Sequence, residues 1–336
     1  MQYLIVGDPH ATPDSLEECG HLIDLVINTA IQSSVDRVVF LGDLYHNHGI
    51  VHLSVQRFWQ EQFDRMARSG LDVIALVGNH DRPGNEAATE NALMLHDHVA
   101  VIDVPRTIDG MLFLPFTSDR EQFVKWCNAS EAPIVFAHQE FWGGKYDNGT
   151  PITGEATGGF YSPLAVNPNL IKQKIISGHI HTPQRFGEVW YPGAPRWRTI
   201  HDANIFRSIY VVEFGGDALY RVVKEVPTNT VCRPIHVVVD QEGDAIPPLQ
   251  EGANVTFDVH GTQAYVDRRK VELEAKGYKV RSFATTERQI KVKESDGLVV
   301  AFQKYVQVFK AKNGTTPEVL MQLAMERVSW LRPISK

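Results

Sequence analysis

QYLIVGDPH, residues 2–10, decides how the rest of the chain is read. The apolar run Tyr3–Val6 has no polar alternation and reads as a short buried strand. It stops at Gly7 and delivers Asp8 and His10. Leu16, Cys19, Leu22, Ile23, Val26, Ala30 and Ile31 then recur at helical spacing, with Thr12 and Pro13 suited to the helix start. A second apolar strand, residues 37–42, runs into Asp43. Leu53, Val55, Phe58, Trp59, Phe63 and Met66 mark a second helix, and residues 72–78 a third strand ending at Asn79. Strand–helix–strand repetition at this spacing predicts an α/β fold of layered sheets and helices.

Further strands are expected over 99–103, 111–115, 133–137 and 174–178, with a helix over 121–128. Residues 139–161 carry six glycines and little apolar periodicity, which predicts a long loop. Strands at 209–214, 220–226 and 235–239 follow. The Pro-, Gly- and acid-rich stretch 240–252 predicts a border between two domains, 1–245 and 246–336. The second domain is expected to be small and α/β, with strands over 254–259 and 279–284 and helices over 262–276, 298–310 and 317–331.

At 336 residues and 43% apolar composition, the chain can bury two cores. No apolar run is long enough to cross a bilayer, and MQYLIVGDPH has no basic leader, so a cytoplasmic protein without a membrane partner is expected. Cys19, Cys127 and Cys232 are too scattered for a disulfide framework or a thiolate metal site and fit a reducing compartment. The net charge of -7 is uneven: residues 1–205 hold 14 Lys/Arg against 24 Asp/Glu, and residues 262–312 hold 12 against 6. An acidic first part suits cations. The basic segment fits either a polyanion or solvated helix and strand faces.

The chemistry lies just past the strands. Asp8 and His10 stand in GDPH, Asp43 in GDLYH, and Asn79, His80 and Asp81 in GNHD. His138 closes PIVFAH, and His179 and His181 close IISGHIH. Carboxyl ends of strands are where open α/β sheets bind ligands. Carboxylate, imidazole and amide oxygen together suit manganese, iron, zinc or magnesium. Each motif alone has a bland alternative: Gly-Asn favours a turn, and a lone His at a strand end is commonly structural. Five such motifs in this order are not a chance arrangement.

The ordered set resembles the calcineurin-like metallophosphoesterase superfamily over residues 1 to about 200. The resemblance implies a layered sandwich of mixed β-sheets flanked by helices, with residues 246–336 as a small α/β cap. It also implies two divalent metal ions, one held by Asp8, His10 and His181, the other by Asn79, His138 and His179, with Asp43 bridging. Such a pair, about 3.5–4 Å apart, activates a water as hydroxide for in-line attack on phosphorus. His80 is implied as the catalytic residue that stabilises or protonates the phosphoryl group, or else as a support for Asn79. Asp81 would orient its neighbours.

GDLYH is similar to the GDLFH form of SbcD-like DNA repair nucleases, with His46 as a second catalytic histidine, and YPGAP (191–195) to the PGS segment of that family; Ala194 departs from its Ser. The layout looks most like the tailed-phage type. The resemblance implies a DNA exonuclease, with endonuclease action as a further option, in recombination or repair. It further implies manganese, DNA and an SbcC-like coiled-coil ATPase as partners, a homodimer, and the cytoplasm of a bacterium or of a phage-infected host. The helix over 317–331 would dock the ATPase or belong to the core of the cap. Arg196 and Arg198 would reach substrate phosphates or pair with acids, and His48 and His52 are expected at the surface. Trp142, Tyr146, Phe160 and Tyr161 would stack on unpaired bases or pack the loop. The competing functions are a phosphoesterase for a small nucleotide-like substrate and a non-enzymatic scaffold; the full ligand set speaks against the scaffold.

Overall fold

The structure, a computed structural model, describes residues 1–84, 90–154, 160–215, 219–241, 248–249, 252–284, 316 and 319. The expected opening is found: β1 (Gln2–Val6), α1 (Leu16–Ser33), β2 (Arg37–Phe40), α2 (Leu53–Arg68) and β3 (Asp72–Leu76). They are followed by β4 (Ala100–Ile102), β5 (Arg106–Ile108), β6 (Met111–Phe113), α3 (Arg120–Asn128) and β7 (Ile134–His138). The described part of the Gly-rich segment after β7 is largely irregular, as expected, and adds the short pair β8 (Ile152–Thr153) and β9 (Phe160–Tyr161). Then come β10 (Lys174–Gly178), β11 (Gln184–Phe186), β12 (Val189–Tyr191), β13 (Ser208–Phe214) and β14 (Tyr220–Pro227). The short strands β5, β11 and β12 were not legible in the sequence.

Two six-stranded mixed sheets form, ordered β14-β13-β1-β2-β3-β4 and β11-β12-β10-β7-β6-β5. Strands β1 to β4 are mutually parallel, as are β6, β7, β10 and β12. The pleat sorts the side chains. Tyr3, Ile5, Val39, Leu41, Ile74 and Leu76 share a core with Phe113, Phe136, Ile176 and Trp190 of the second sheet. Their neighbours Leu4, Val6, Val38 and Phe40 face the opposite way, against Leu22, Ile23 and Val26 of α1 and Trp59, Phe63 and Met66 of α2. Leu112, Val135 and Ile175 likewise join Phe123 and Cys127 of α3. The central strands are therefore apolar on both faces, which explains their unbroken apolar runs. The result is the expected layered sandwich, helices outside and two sheets within.

The chain divides into two compact units, Met1–Val237 with Pro248–Thr256, and Val238–Pro247 with Phe257–Lys336. The border expected at 245/246 lies outside the described residues. The described part of the second unit belongs to a sheet ordered β15-β16-β17, from β15 (Ile235–Gln241), β16 (Asn254–Gly261) and β17 (Lys279–Ala284), with α4 (Gln263–Ala275) capped by Thr262. Within it, Tyr265 and Arg269 of α4 bond to the buried Asp240, and Phe257 packs on Tyr278. The helices expected over 298–310 and 317–331 lie outside the described residues, Val319 excepted. No helix among the described residues is long and apolar enough to cross a membrane.

Two glycines make opposite predictions. A Cβ on Gly20, inside α1, would meet nothing within 4 Å, whereas one on Gly178 would lie 2.5 Å from both the Asp8 carboxylate and the Leu41 carbonyl. Thermal or urea unfolding of Gly20→Ala should show a gain of about 0.5–1 kcal/mol. Gly178→Ala should lose about 1–3 kcal/mol through overpacking. Equal behaviour of the two variants would contradict the packing described.

Candidate metal centre

The parallel strands of both sheets point their carboxyl ends to one edge, and there the motifs meet. β7 and β10 pair in register with His138 opposite Gly178, so His138 and His179 emerge side by side. Asp8, His10, Asp43, Asn79 and His138 are buried, and His179 and His181 are nearly so. All seven expected ligand residues are brought together.

Three of them have left-handed backbones: His10 at φ 48°, Asp43 at 51° and His179 at 83°. Such conformations cost about 1–3 kcal/mol each and persist where the surroundings fix them. Here each strained amide is held by another member of the cluster. His10 N–H donates to the Asp43 carbonyl (2.9 Å), and His179 N–H to Asp8 Oδ2 (2.7 Å). Asp43 N–H donates to Asp81 Oδ2 (2.8 Å). Asp81 also accepts from Gly78 N and Tyr45 N, so it orients the second and third motifs, as expected. Burial, reinforced by the Asp43 charge, raises its carboxyl to about 7.

The donor atoms fall into two cages. In the first, His138 Nε2 lies 3.1 Å from Asn79 Oδ1 and 3.3 Å from both Asp43 Oδ2 and His179 Nδ1. Asn79 Oδ1 is 2.9 Å from His179 Nδ1. In the second, His10 Nε2 is 3.0 Å from His181 Nε2 and 3.4 Å from Asp43 Oδ2, with Asp8 Oδ2 4.0 Å from His181 Nε2. Asp43 Oδ2 therefore touches both cages.

The tautomers are fixed from behind. His138 Nδ1 faces the Leu41 carbonyl at 2.7 Å, His179 Nε2 faces Glu140 Oε1 at 2.9 Å, and His181 Nδ1 faces Asp147 Oδ2 at 3.3 Å. An N–H on each of those atoms leaves a lone pair on the nitrogen that enters the cage. In the first cage, lone pairs then face lone pairs, which only protons or cations can reconcile; His10, whose Nδ1 is buried without a hydrogen-bond partner, has no such group behind it in the second. Burial pulls the His138 imidazole down in pKa, but the Asp43 and Asp8 carboxylates outweigh it and raise it to about 9. Asp8 Oδ1 is buried without a hydrogen-bond partner. Nitrogen and oxygen donors without sulfur fit a pair of borderline or hard divalent cations.

Beside the cages, His80 N–H donates to Asp43 Oδ1 (2.8 Å), and its ring Nδ1 donates to the His46 carbonyl. The His46 ring stacks on His80 at 5.6 Å, and Arg198 donates to it at 2.8 Å. Burial and the Arg198 charge hold His46 down at about 4. Arg196 differs: it is buried, bonding Glu18 (2.9 Å) and the Pro9 carbonyl (2.8 Å), so it is the acid-paired member. His48 is exposed, but its ring lies 4.1 Å from that of His80, a proximity the sequence did not suggest. His52 is exposed and starts α2. Trp142 packs in the loop, donating to the Ala165 carbonyl, and Tyr146 donates to Glu140.

Glu140, Asp147 and the buried Arg207–Asp202 pair escaped the sequence. Arg207 donates to the carbonyl of His181. For Glu140 and Asp147 the only hint was acids within a Gly-rich loop, since no spacing rule ties them to the histidines they meet. A cavity of about 710 Å³ opens beside His179 and His181, lined by Tyr146, Asn148, Pro163, Leu164 and Arg198 among others.

The calcineurin-like phosphoesterase family model matches residues 1–183. Protein 078R of invertebrate iridescent virus 3, named as a phosphoesterase, is 29% identical over 212 residues, covering 58% of this chain and 57% of that protein. The uncharacterized metallophosphoesterase YhaO of Bacillus subtilis (strain 168) is 34% identical over 61 residues, 18% of this chain and 15% of that one. The chain thus spans little more than half the length of the first curated relative and a small part of the second. Among solved structures, YfcE, a phosphoesterase from E. coli, aligns at TM-score 0.32 and 16% identity, over 68% of this chain and 100% of its own. TT1561 of Thermus thermophilus aligns at TM-score 0.36 and 14% identity, over 62% and 93%. The family match runs over more than half of the chain and takes in every residue of both cages, from Asp8 to His181: this chain belongs to the calcineurin-like phosphoesterase family.

Proposed function

We propose that this protein is a two-metal-dependent DNA nuclease, an exonuclease with endonuclease action as a further option, serving recombination or repair. The observation that carries the proposal is the pair of acceptor cages sharing Asp43 Oδ2, with His80, His46 and Arg198 grouped at their rim. Asp8, His10 and His181 would hold one ion, Asn79, His138 and His179 the other, and Asp43 both; manganese suits these donors. When bound, such ions lower the pKa of a shared water and neutralise phosphoryl oxygens.

The chain's own residues do the rest. Asp43, whose Oδ2 lies near both His10 and His138, would offset the repulsion between the two like charges. His80 has its Nδ1–H committed to the His46 carbonyl, so Nε2 is the atom that meets the phosphate; as the imidazolium it would give its Nε2 proton to the leaving oxygen. His46, kept neutral and gripped by Arg198, sets where the strand end lies, and the Arg198 guanidinium meets phosphate charge. The second unit exposes Arg268 and Lys279, which suit backbone phosphates. An SbcC-like ATPase and a second copy of this chain are the partners that go with this function. One observation favours a second reading: the cavity beside His179 and His181 has the size of pockets that enclose a small nucleotide-like molecule.

End-labelled linear duplex and single-stranded DNA, incubated with manganese, should be degraded by the wild type. His80→Ala should slow degradation by about 10²–10⁴-fold. His46→Ala should impair DNA degradation while metal content, read by elemental analysis, stays at the wild-type level. Brisk hydrolysis of a small phosphodiester with no action on DNA would replace the nuclease by the second reading.

Treatment with a chelator should abolish turnover and lower the thermal midpoint, because ions that bind only the folded state stabilise it. Added manganese should restore both. A thermal midpoint indifferent to chelation and metal would contradict the cages as ion sites.

A further inference from the structure

We propose that Glu140 and Asp147 are positioning residues that set the affinities of the two metal sites separately, Glu140 through His179 and Asp147 through His181. The inference rests on the ligand assignment proposed above and adds a control the family match does not supply.

An imidazole binds a cation through the nitrogen that lacks a proton, and the partner of the other nitrogen decides which one that is. The four cage histidines differ in that partner. His138 has a backbone carbonyl, and His10 Nδ1 is buried without a hydrogen-bond partner. His179 and His181 instead face carboxylates, which make an imidazole more electron-rich than a carbonyl does. One carboxylate-backed histidine therefore stands in each cage.

The two carboxylates are built alike. Glu140 directs Oε1 at His179 Nε2, while Oε2 is fixed by the hydroxyls of Tyr146 (2.7 Å) and Ser162 (2.5 Å). Asp147 directs Oδ2 at His181 Nδ1, while Oδ1 is fixed by the hydroxyl of Thr182 (2.9 Å). In both, one oxygen is anchored and the other receives the imidazole. Both contacts are made to the ring nitrogen turned away from the cage, so these acids act behind the ligands. Asp202 also lies near His181, but its oxygens are taken by Arg207, Thr199 and the Arg198 amide, which leaves Asp147 as the acid that serves the ring. Glu140 and Asp147 come from the same segment, and both line the cavity beside the cages, so whatever enters it meets the residues that tune the metals.

Manganese titrated into the metal-stripped full chain, followed by calorimetry, tests this. Wild type should take up two ions. Glu140→Gln should weaken one of them about 10–100-fold and leave the other, Asp147→Asn should weaken the other to a similar degree, and the double variant should weaken both. Tyr146→Phe and Ser162→Ala keep the charge of Glu140 but loosen its anchor; they should weaken the same ion as Glu140→Gln by a smaller factor, and they decide the matter if that variant does not fold. Two ions bound with wild-type affinities in all variants would overturn the proposal. So would a loss shared equally by both ions together with a lower thermal midpoint of the metal-free protein, which is what a merely structural role would give. Fewer than two ions in the wild type would instead strike the two-metal assignment itself.

Discussion

The structure turns on one electrostatic conflict: lone pairs of an amide, two carboxylates and three imidazoles whose outer nitrogens are already engaged are driven, with His10, to within about hydrogen-bonding distance of one another. A protein interior does not tolerate such a grouping without positive charge. Asp43 Oδ2 is its centre, because it is the atom common to both cages. Divalent cations would resolve the conflict, and under the proposed function the same charge would serve the oxygens of the phosphate ester.

Everything around the centre can be understood as the means of holding it. Two sheets pack face to face, one covered by α1 and α2, the other by α3 and the segment after β7, so the strands that carry the ligands are apolar on both faces. The turns that follow them are tight. Gly78 has no room for a side chain because Asp43 Oδ1 would lie 2.1 Å from its Cβ, and Gly42 takes φ 108° just before Asp43. The left-handed backbones of His10, Asp43 and His179 are each tied by a hydrogen bond to another acid or carbonyl of the site, so the strain is local and shared.

Much of this was legible in the sequence for a physical reason. A buried strand announces itself by an apolar run, and in this fold the ligand comes directly after it; Tyr3–Val6 before Asp8 and Ile134–Ala137 before His138 are local signals. Glu140 and Asp147 were not legible, because they sit in an aperiodic Gly-rich segment and meet histidines 39 and 34 residues further on, contacts that only tertiary structure creates. Arg196 and Arg198 looked interchangeable two residues apart. Burial separates them, one neutralised by Glu18 and one placed at His46. The three-residue strands β5, β11 and β12 were missed, since so short a run carries no period; β5 and β11 are the edges of their sheet.

The most direct test of the central claim is electron paramagnetic resonance of the protein loaded with manganese, compared with Asp43→Asn. Two ions sharing one carboxylate should give the spectrum of an exchange-coupled pair at two manganese per chain, and the coupling should be lost or sharply reduced in Asp43→Asn. A single isolated ion per chain, or two ions with no coupling in the wild type, would contradict the account.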